Sequence, residues 1–274
     1  MENNWLKQPR TWIEGFVLFN LGGLAPDIFL AHSVNAFHSR AEYMPLLFSL
    51  VAPALLLSTL WALAKGRLVL WRWLGLLVGG TAVLIGITGL VLHLQSQFFQ
   101  QWTLASLVYA APFAAPLAYT GLGSLLIMNR MVSDKELEWA HWVIFFALGG
   151  FAGNFIFTLT DHAQNGFFHR TEWIPVISST VAVGFLIMPL MVKVDRPFLK
   201  MCRLVMLVQV AVGVLGFMFH ALADWHNNGE NLFLRIVHGA PIFAPTLFCD
   251  LAVLAGIGLW ALGWNHPPTR SSHQ

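Results

Sequence analysis

The residues in this chain that could do chemistry are few and unevenly placed. Eight of its eleven histidines, His32, His38, His93, His162, His169, His220, His226 and His238, fall in four short stretches between apolar runs. Glu42, Asp161, Glu172, Asp224 and Glu230 share those stretches. Imidazole with carboxylate is the donor set of zinc, copper, iron and manganese sites. Two histidines and one carboxylate with open positions also suit oxygen activation at non-haem iron. The expected metal ligands are therefore His32, His38, Glu42, His93, His162, His169, Glu172, His220, Asp224, His226, Glu230 and His238. A haem reading uses the core of the same set, with His32 and His93, then His162 and His220, each ligating one macrocycle. Gly89 and Gly216 would let its flat face approach. Taken singly, any of these histidines reads as a hydrogen-bonded ring at a membrane interface.

What separates them from that reading is recurrence. Trp12-x-Glu14 with Leu21-Gly22-Gly23 matches Trp139-x-His141 with Leu148-Gly149-Gly150 at an offset of 127. The pairs His32/His162, Asn35/Asn165, Phe37/Phe167, Arg40/Arg170, Glu42/Glu172 and Pro45/Pro175 follow at an offset of 130. Gly89-LVL-His93 then matches Gly216-FMF-His220, and Ala111-Pro112-FAA-Pro116 matches Ala240-Pro241-IFA-Pro245. Four blocks in the same order imply an internal duplication, with one unit over 1–132 and a second over 133–274 that ends in a short C-terminal tail. Each unit would offer His, His and Glu to one point. Arg40 and Arg170 are expected to pair with Glu42 and Glu172. Asp27 and Asn154, at matched places below His32 and His162, read as partners of the imidazoles or part of a proton path. Asp250, opposite Gly121, reads as a hydrogen-bonded core acid. Glu14 and His141 read as helix-end contacts, and Pro45, Pro175, Pro112 and Pro241 as first-turn prolines.

The elements that must position these residues follow from composition. The chain has 274 residues, 57% hydrophobic and 10% charged, whereas soluble domains carry about 25% charged residues. Continuous apolar runs long enough to cross a bilayer recur throughout, and in lipid such runs must be helices. The expected architecture is an all-α integral membrane protein of about eight transmembrane helices. They fall near 11–32, 45–64, 73–94, 104–128, 139–160, 174–193, 204–222 and 240–264. An even number of helices per unit gives both units the same topology, related by an axis along the membrane normal. The first run is too long for a secretory leader and has a partner in the second unit, so it is expected to remain.

Twelve of the fifteen Lys and Arg residues, including Lys7, Arg10, Arg130 and Arg270, fall at the termini or in the even-numbered connections. Only Arg40, Arg170 and Arg235 fall on the other side. That bias places both termini in the cytoplasm and the histidines on the outer, periplasmic face of what would be a bacterial inner membrane. Cys202 and Cys249 form neither a disulfide framework nor a thiolate motif. No phosphate-binding loop, hydrolase elbow or nucleic-acid motif is present.

The function these features favour is a redox or oxidoreductase-type membrane subunit, a metal-dependent membrane enzyme with iron, copper, zinc or manganese at its outer face. Competing readings are a haem-binding electron-transfer subunit, a structural or accessory subunit of a larger membrane complex, and a metal transporter. The bilayer is the first expected partner. Other membrane-complex subunits or a periplasmic redox protein are the next, and nucleic acid is excluded.

Overall fold

A computed structural model of the chain describes residues 8–109 and 111–264. Lys7 and Arg270, and the C-terminal tail after residue 264, lie outside the described residues. The described residues are helical, with no strand among them. A first bundle contains α1 (Pro9–Ser33), α2 (Tyr43–Ala64), α3 (Leu68–Gln95), two short pieces α4 (Phe98–Gln101) and α5 (Leu104–Val108), and α6 (Leu117–Met131). A second contains α7 (Leu137–Gln164), α8 (Trp173–Met191), α9 (Arg196–His226), the short α10 (Leu232–Val237) and α11 (Thr246–Trp264). Single 3-10 turns at Arg40–Glu42 and Arg170–Glu172 lead into α2 and α8.

Among the described residues, seven helices are long and apolar enough to cross a membrane. The expected span at 104–128 is not one continuous helix. Tyr109 and residues 111–116 leave the helix, because Pro112 and Pro116 have no N–H to donate and tie the chain into successive turns. What remains, α6, has 15 residues and rises about 22 Å, short of a hydrocarbon core about 30 Å thick. Pro241 and Pro245 do the same before α11, which starts at Thr246 rather than near 240.

Within the first bundle α1 packs on α2, α2 on α3, α3 on α6 and α6 on α1. In the second, α7, α8, α9 and α11 close a ring in the same order. The bundles join where α1 meets α11 and α6 meets α7. Helix α2 shows what surrounds them. Its small and hydroxyl residues Ser49, Ala52, Thr59 and Ala62 are buried, while Leu47, Leu50, Leu57 and Trp61 are exposed. A helix in water does the reverse; small residues at the seam and large apolar ones outside belong to a lipid environment. This is an α-helical integral membrane protein.

The closest approaches use glycine. A Cβ on Gly79 would lie 2.8 Å from the Gly123 carbonyl oxygen, and one on Gly86 would lie 2.8 Å from that of Pro116. On α9, a Cβ at Gly213 would lie 2.9 Å from the Pro245 carbonyl oxygen. These seats hold α3 against α6, and α9 against α11, from mid-helix towards the end where the histidines collect.

Candidate functional site

That end is built twice. In the first bundle, Gly89 lies under the Pro116 ring, where a Cβ would come within 2.9 Å, and His93 stands one turn further along α3. The His93 Nδ1–H donates to the Pro112 carbonyl at 2.9 Å. In the second bundle Gly216 lies under Pro245, with a Cβ separation of 2.8 Å, and the His220 Nδ1–H donates to Pro241 O at 2.9 Å. The glycine-x3-histidine and proline-x3-proline patterns are therefore two halves of one joint. Its consequence is chemical: with Nδ1 committed to a carbonyl, each ring carries its lone pair on Nε2. The glycine faces expected to admit a macrocycle are occupied by proline instead.

His32 and His162 close α1 and α7. After each, the chain reverses through left-handed residues, Ala36 and Phe37 in one case (φ 54° and 52°) and Gly166 and Phe167 in the other (φ 72° and 54°). The Phe37 and Phe167 amides donate back to the carbonyls of His32 and His162, both at 3.1 Å. Phe37 stacks on Tyr43 at 4.7 Å and Phe167 on Trp173 at 4.2 Å, which pins each loop to the start of the next helix. The loop delivers a carboxylate to the imidazole. Glu42 Oε2 lies 3.3 Å from His32 Nδ1, and Glu172 Oε2 lies 3.5 Å from His162 Nδ1. The other oxygen of each glutamate accepts a backbone N–H, from Ser39 and His169, both at 3.2 Å. Asn35 adds its amide to Glu42.

Glu42 and Glu172, expected as ligands, thus each lie beside the Nδ1 of a matched histidine, at 3.3 and 3.5 Å. All four matched histidines have Nδ1 tied to or facing an acceptor, leaving Nε2 free. In the first bundle the His32 and His93 rings meet edge to face, 6.3 Å between centroids; no such contact joins His162 and His220 among the described residues. Two imidazoles bound through Nε2 to one ion, each Zn–N bond being about 2 Å, have centroids roughly 6 Å apart when the ion lies between them.

The wider ligand set does not assemble. Among the described residues no group of three or more His, Cys, Asp or Glu is placed to hold a metal ion. His38, Glu230 and His238 are exposed, His169 contributes its backbone N–H, and His226 Nδ1 turns back to Leu222 O at 2.8 Å. Asp224 is buried, and its Oδ1 accepts the Ala240 N–H at 2.7 Å; Ser96 Oγ takes the Ala111 N–H at 3.0 Å in the first bundle. Both brace the proline turns. Arg40 and Arg170 are exposed and form no ion pair with Glu42 or Glu172.

Below the histidines lies a second polar layer. The Tyr119 hydroxyl donates to Pro45 O at 2.9 Å and meets Ser49 Oγ at 2.5 Å. Asn154 is buried with neither amide atom partnered. Towards the basic end the first bundle turns wholly apolar at Val17, Leu21, Ala52, Leu56, Val78 and Ala82, all buried.

Sequence reasoning missed the centre at the basic end. Glu14, taken for a helix-end contact, is buried in a bidentate pair with Arg130, whose Nη2 lies 2.8 Å from Glu14 Oε2. Arg130 Nε donates to Trp71 O at 3.1 Å, and the guanidinium lies over the Trp71 ring at 4.1 Å. Asn129 donates to Glu14 Oε1 at 2.7 Å and accepts from Trp139 Nε1 at 3.1 Å, linking the two bundles. Gly75 is the signal that was available: any side chain there would collide with Arg130.

The fold and the site define a helical integral membrane protein with matched histidines at one end of two bundles. No family model matches the chain, and no curated protein or solved structure is similar to it.

Proposed function

We propose that this chain consists of two tandem, same-topology four-helix units. Each carries a transition-metal site, His32 with His93 in one and His162 with His220 in the other, in a redox or oxidoreductase-type membrane subunit. The observation that carries the reading is the matched placement of Nδ1 on the four rings, hydrogen-bonded to Pro112 O and Pro241 O on His93 and His220 and facing Glu42 and Glu172 at 3.3 and 3.5 Å on His32 and His162. Metal-binding histidines are held this way, because a partner on the far nitrogen fixes the tautomer and makes the near one a better donor. With two imidazoles from the chain, coordination positions stay open for a substrate, a solvent molecule or a group from a partner. A bound ion would supply Lewis acidity or one-electron chemistry there. The chain's own part is to orient four rings and keep their Nε2 lone pairs free.

The excess of Lys and Arg at the opposite end supports an outer, periplasmic placement of the sites in a bacterial inner membrane, with both termini cytoplasmic. Two structural features weigh against the competing readings. Pro116 and Pro245 fill the glycine faces a haem would need. In the first bundle the apolar stretch below Ser49 and Tyr119 offers no ligand to carry a metal ion across, as a transporter requires. Elemental analysis of the purified protein, with an absorption spectrum of the same sample, tests the proposal. It expects iron, copper, zinc or manganese without a Soret band, and loss of the metal when the four histidines are replaced by alanine.

A further inference from the structure

The basic end of the first bundle has a cationic turn that the described residues do not neutralise. Lys65, Arg67 and Arg72 fall within eight residues where α2 passes into α3, and no Asp or Glu occurs between Glu42 and Asp134. All three cations are exposed, and among the described residues none forms an ion pair or a side-chain hydrogen bond. The acids at this end are engaged elsewhere: Glu14 pairs with Arg130, and Asp134 lies 3.6 Å from Arg10. The second bundle differs. Its turn between α8 and α9 has Lys193, Arg196 and Lys200 but also an acid, Asp195, which accepts the Phe198 N–H at 2.9 Å. Beside the first turn the surface is concave and apolar. Gly66 turns the chain with φ 69°, and residues 66–70 with Trp73 line a shallow groove of about 540 Å³. Leu68, Val69 and Trp73 are exposed by 58, 72 and 66%. Arg67 lies over the Trp61 ring at 5.1 Å, at the rim of that groove.

We infer that this groove binds one anionic phospholipid, whose phosphate and headgroup charge meet Lys65, Arg67 and Arg72 while an acyl chain lies along Leu68, Val69 and Trp73. Tryptophan beside arginine at a helix end is the composition of a surface at headgroup level. Basic pockets at the ends of membrane helices hold anionic headgroups, each Lys or Arg adding its attraction. A soluble anion would leave the apolar floor bare, and a zwitterionic lipid brings a positive group that the three cations repel. The lipid supplies to the first bundle the negative charge that the second takes from Asp195. The site stands apart from the histidines, which lie at the other end of the bundle, and does not depend on metal there.

Full-length protein in neutral detergent, titrated with phosphatidylglycerol or phosphatidylcholine and read by native mass spectrometry, tests the site. Phosphatidylglycerol should bind about tenfold more tightly than phosphatidylcholine, or better. Arg67→Gln alone should weaken phosphatidylglycerol by about fivefold. Lys65→Gln/Arg67→Gln/Arg72→Gln should bring the two lipids within about twofold of each other with an unchanged helical spectrum. Lys193→Gln/Lys200→Gln, at the turn that has its own acid, should keep the preference. Equal affinity of the wild-type protein for the two lipids overturns the site. So does a preference that survives the triple replacement, or one that disappears in the double replacement. Displacement of phosphatidylglycerol by inorganic phosphate would overturn the lipid as occupant in favour of a free anion.

Discussion

The His93 ring donates its Nδ1–H to the Pro112 carbonyl at 2.9 Å, which decides the nitrogen left for chemistry. A carbonyl oxygen only accepts, so neutral His93 carries its proton on Nδ1 and its lone pair on Nε2. His220 stands on Pro241 in the same way. Nitrogen-15 spectra of metal-free, histidine-labelled protein should show both rings as the Nδ1–H tautomer. An Nε2–H proton on either ring contradicts the joint as described.

The glutamates act through the imidazoles. Glu42→Gln keeps an oxygen for the Ser39 N–H but removes the charge facing His32, and Glu172→Gln does the same at His162. Each should lower metal affinity at its own site by about 10–100-fold, with helix content by circular dichroism unchanged. Wild-type affinity in both variants would mean that the carboxylates orient nothing.

Glu14 and Arg130 should behave as a buried pair. Glu14→Leu strands a guanidinium among apolar helices and should cost about 3–5 kcal/mol in detergent unfolding, whereas Glu14→Leu with Arg130→Leu should recover most of that loss. Counted from Pro116 and Pro245, the residue of α11 that corresponds to Arg130 is the buried Leu259, so the fold accommodates leucine in such a position. A double variant as unstable as the single one would show that the network does more than neutralise its own charge.

The glycine seats give a contrast within α3. Gly89→Val must push against Pro116 and should cost about 1–3 kcal/mol, with a shifted His93 signal. Gly80 has nothing within 4 Å of its added Cβ, and Gly80→Ala should be neutral or stabilising by about 0.5–1 kcal/mol. Thermal unfolding of the two variants side by side checks both.

The membrane-spanning character and seven of the spans were legible because hydropathy acts along the chain, and recurrence singled out His32, His93, His162 and His220, which lie near matched helix ends. The break in the expected helix at 104–128 was not. Tyr109 to Pro116 is as apolar as its neighbours, and only the missing N–H groups of Pro112 and Pro116 stop the helix. Pro112 and Pro241 were read as passive first-turn residues, although their carbonyls hold His93 and His220. The type and position of Glu42 and Glu172 were visible in the sequence, whereas their approach to Nδ1 of His32 and His162 was not. His38, His226 and Glu230 shared an end of the bundle with the site without sharing its geometry. Glu14 and Arg130 lie 116 positions apart, beyond any local pattern.

The central claim is that the four matched imidazoles hold metal through Nε2. Elemental analysis of wild-type protein purified in mild detergent, beside a His32→Ala/His93→Ala/His162→Ala/His220→Ala variant, tests it most directly. The account predicts iron, copper, zinc or manganese in the wild type with no Soret band, and none in the variant despite an intact helical spectrum. A wild-type protein that is folded, colourless and metal-free, or one whose metal content survives the four replacements, would contradict it.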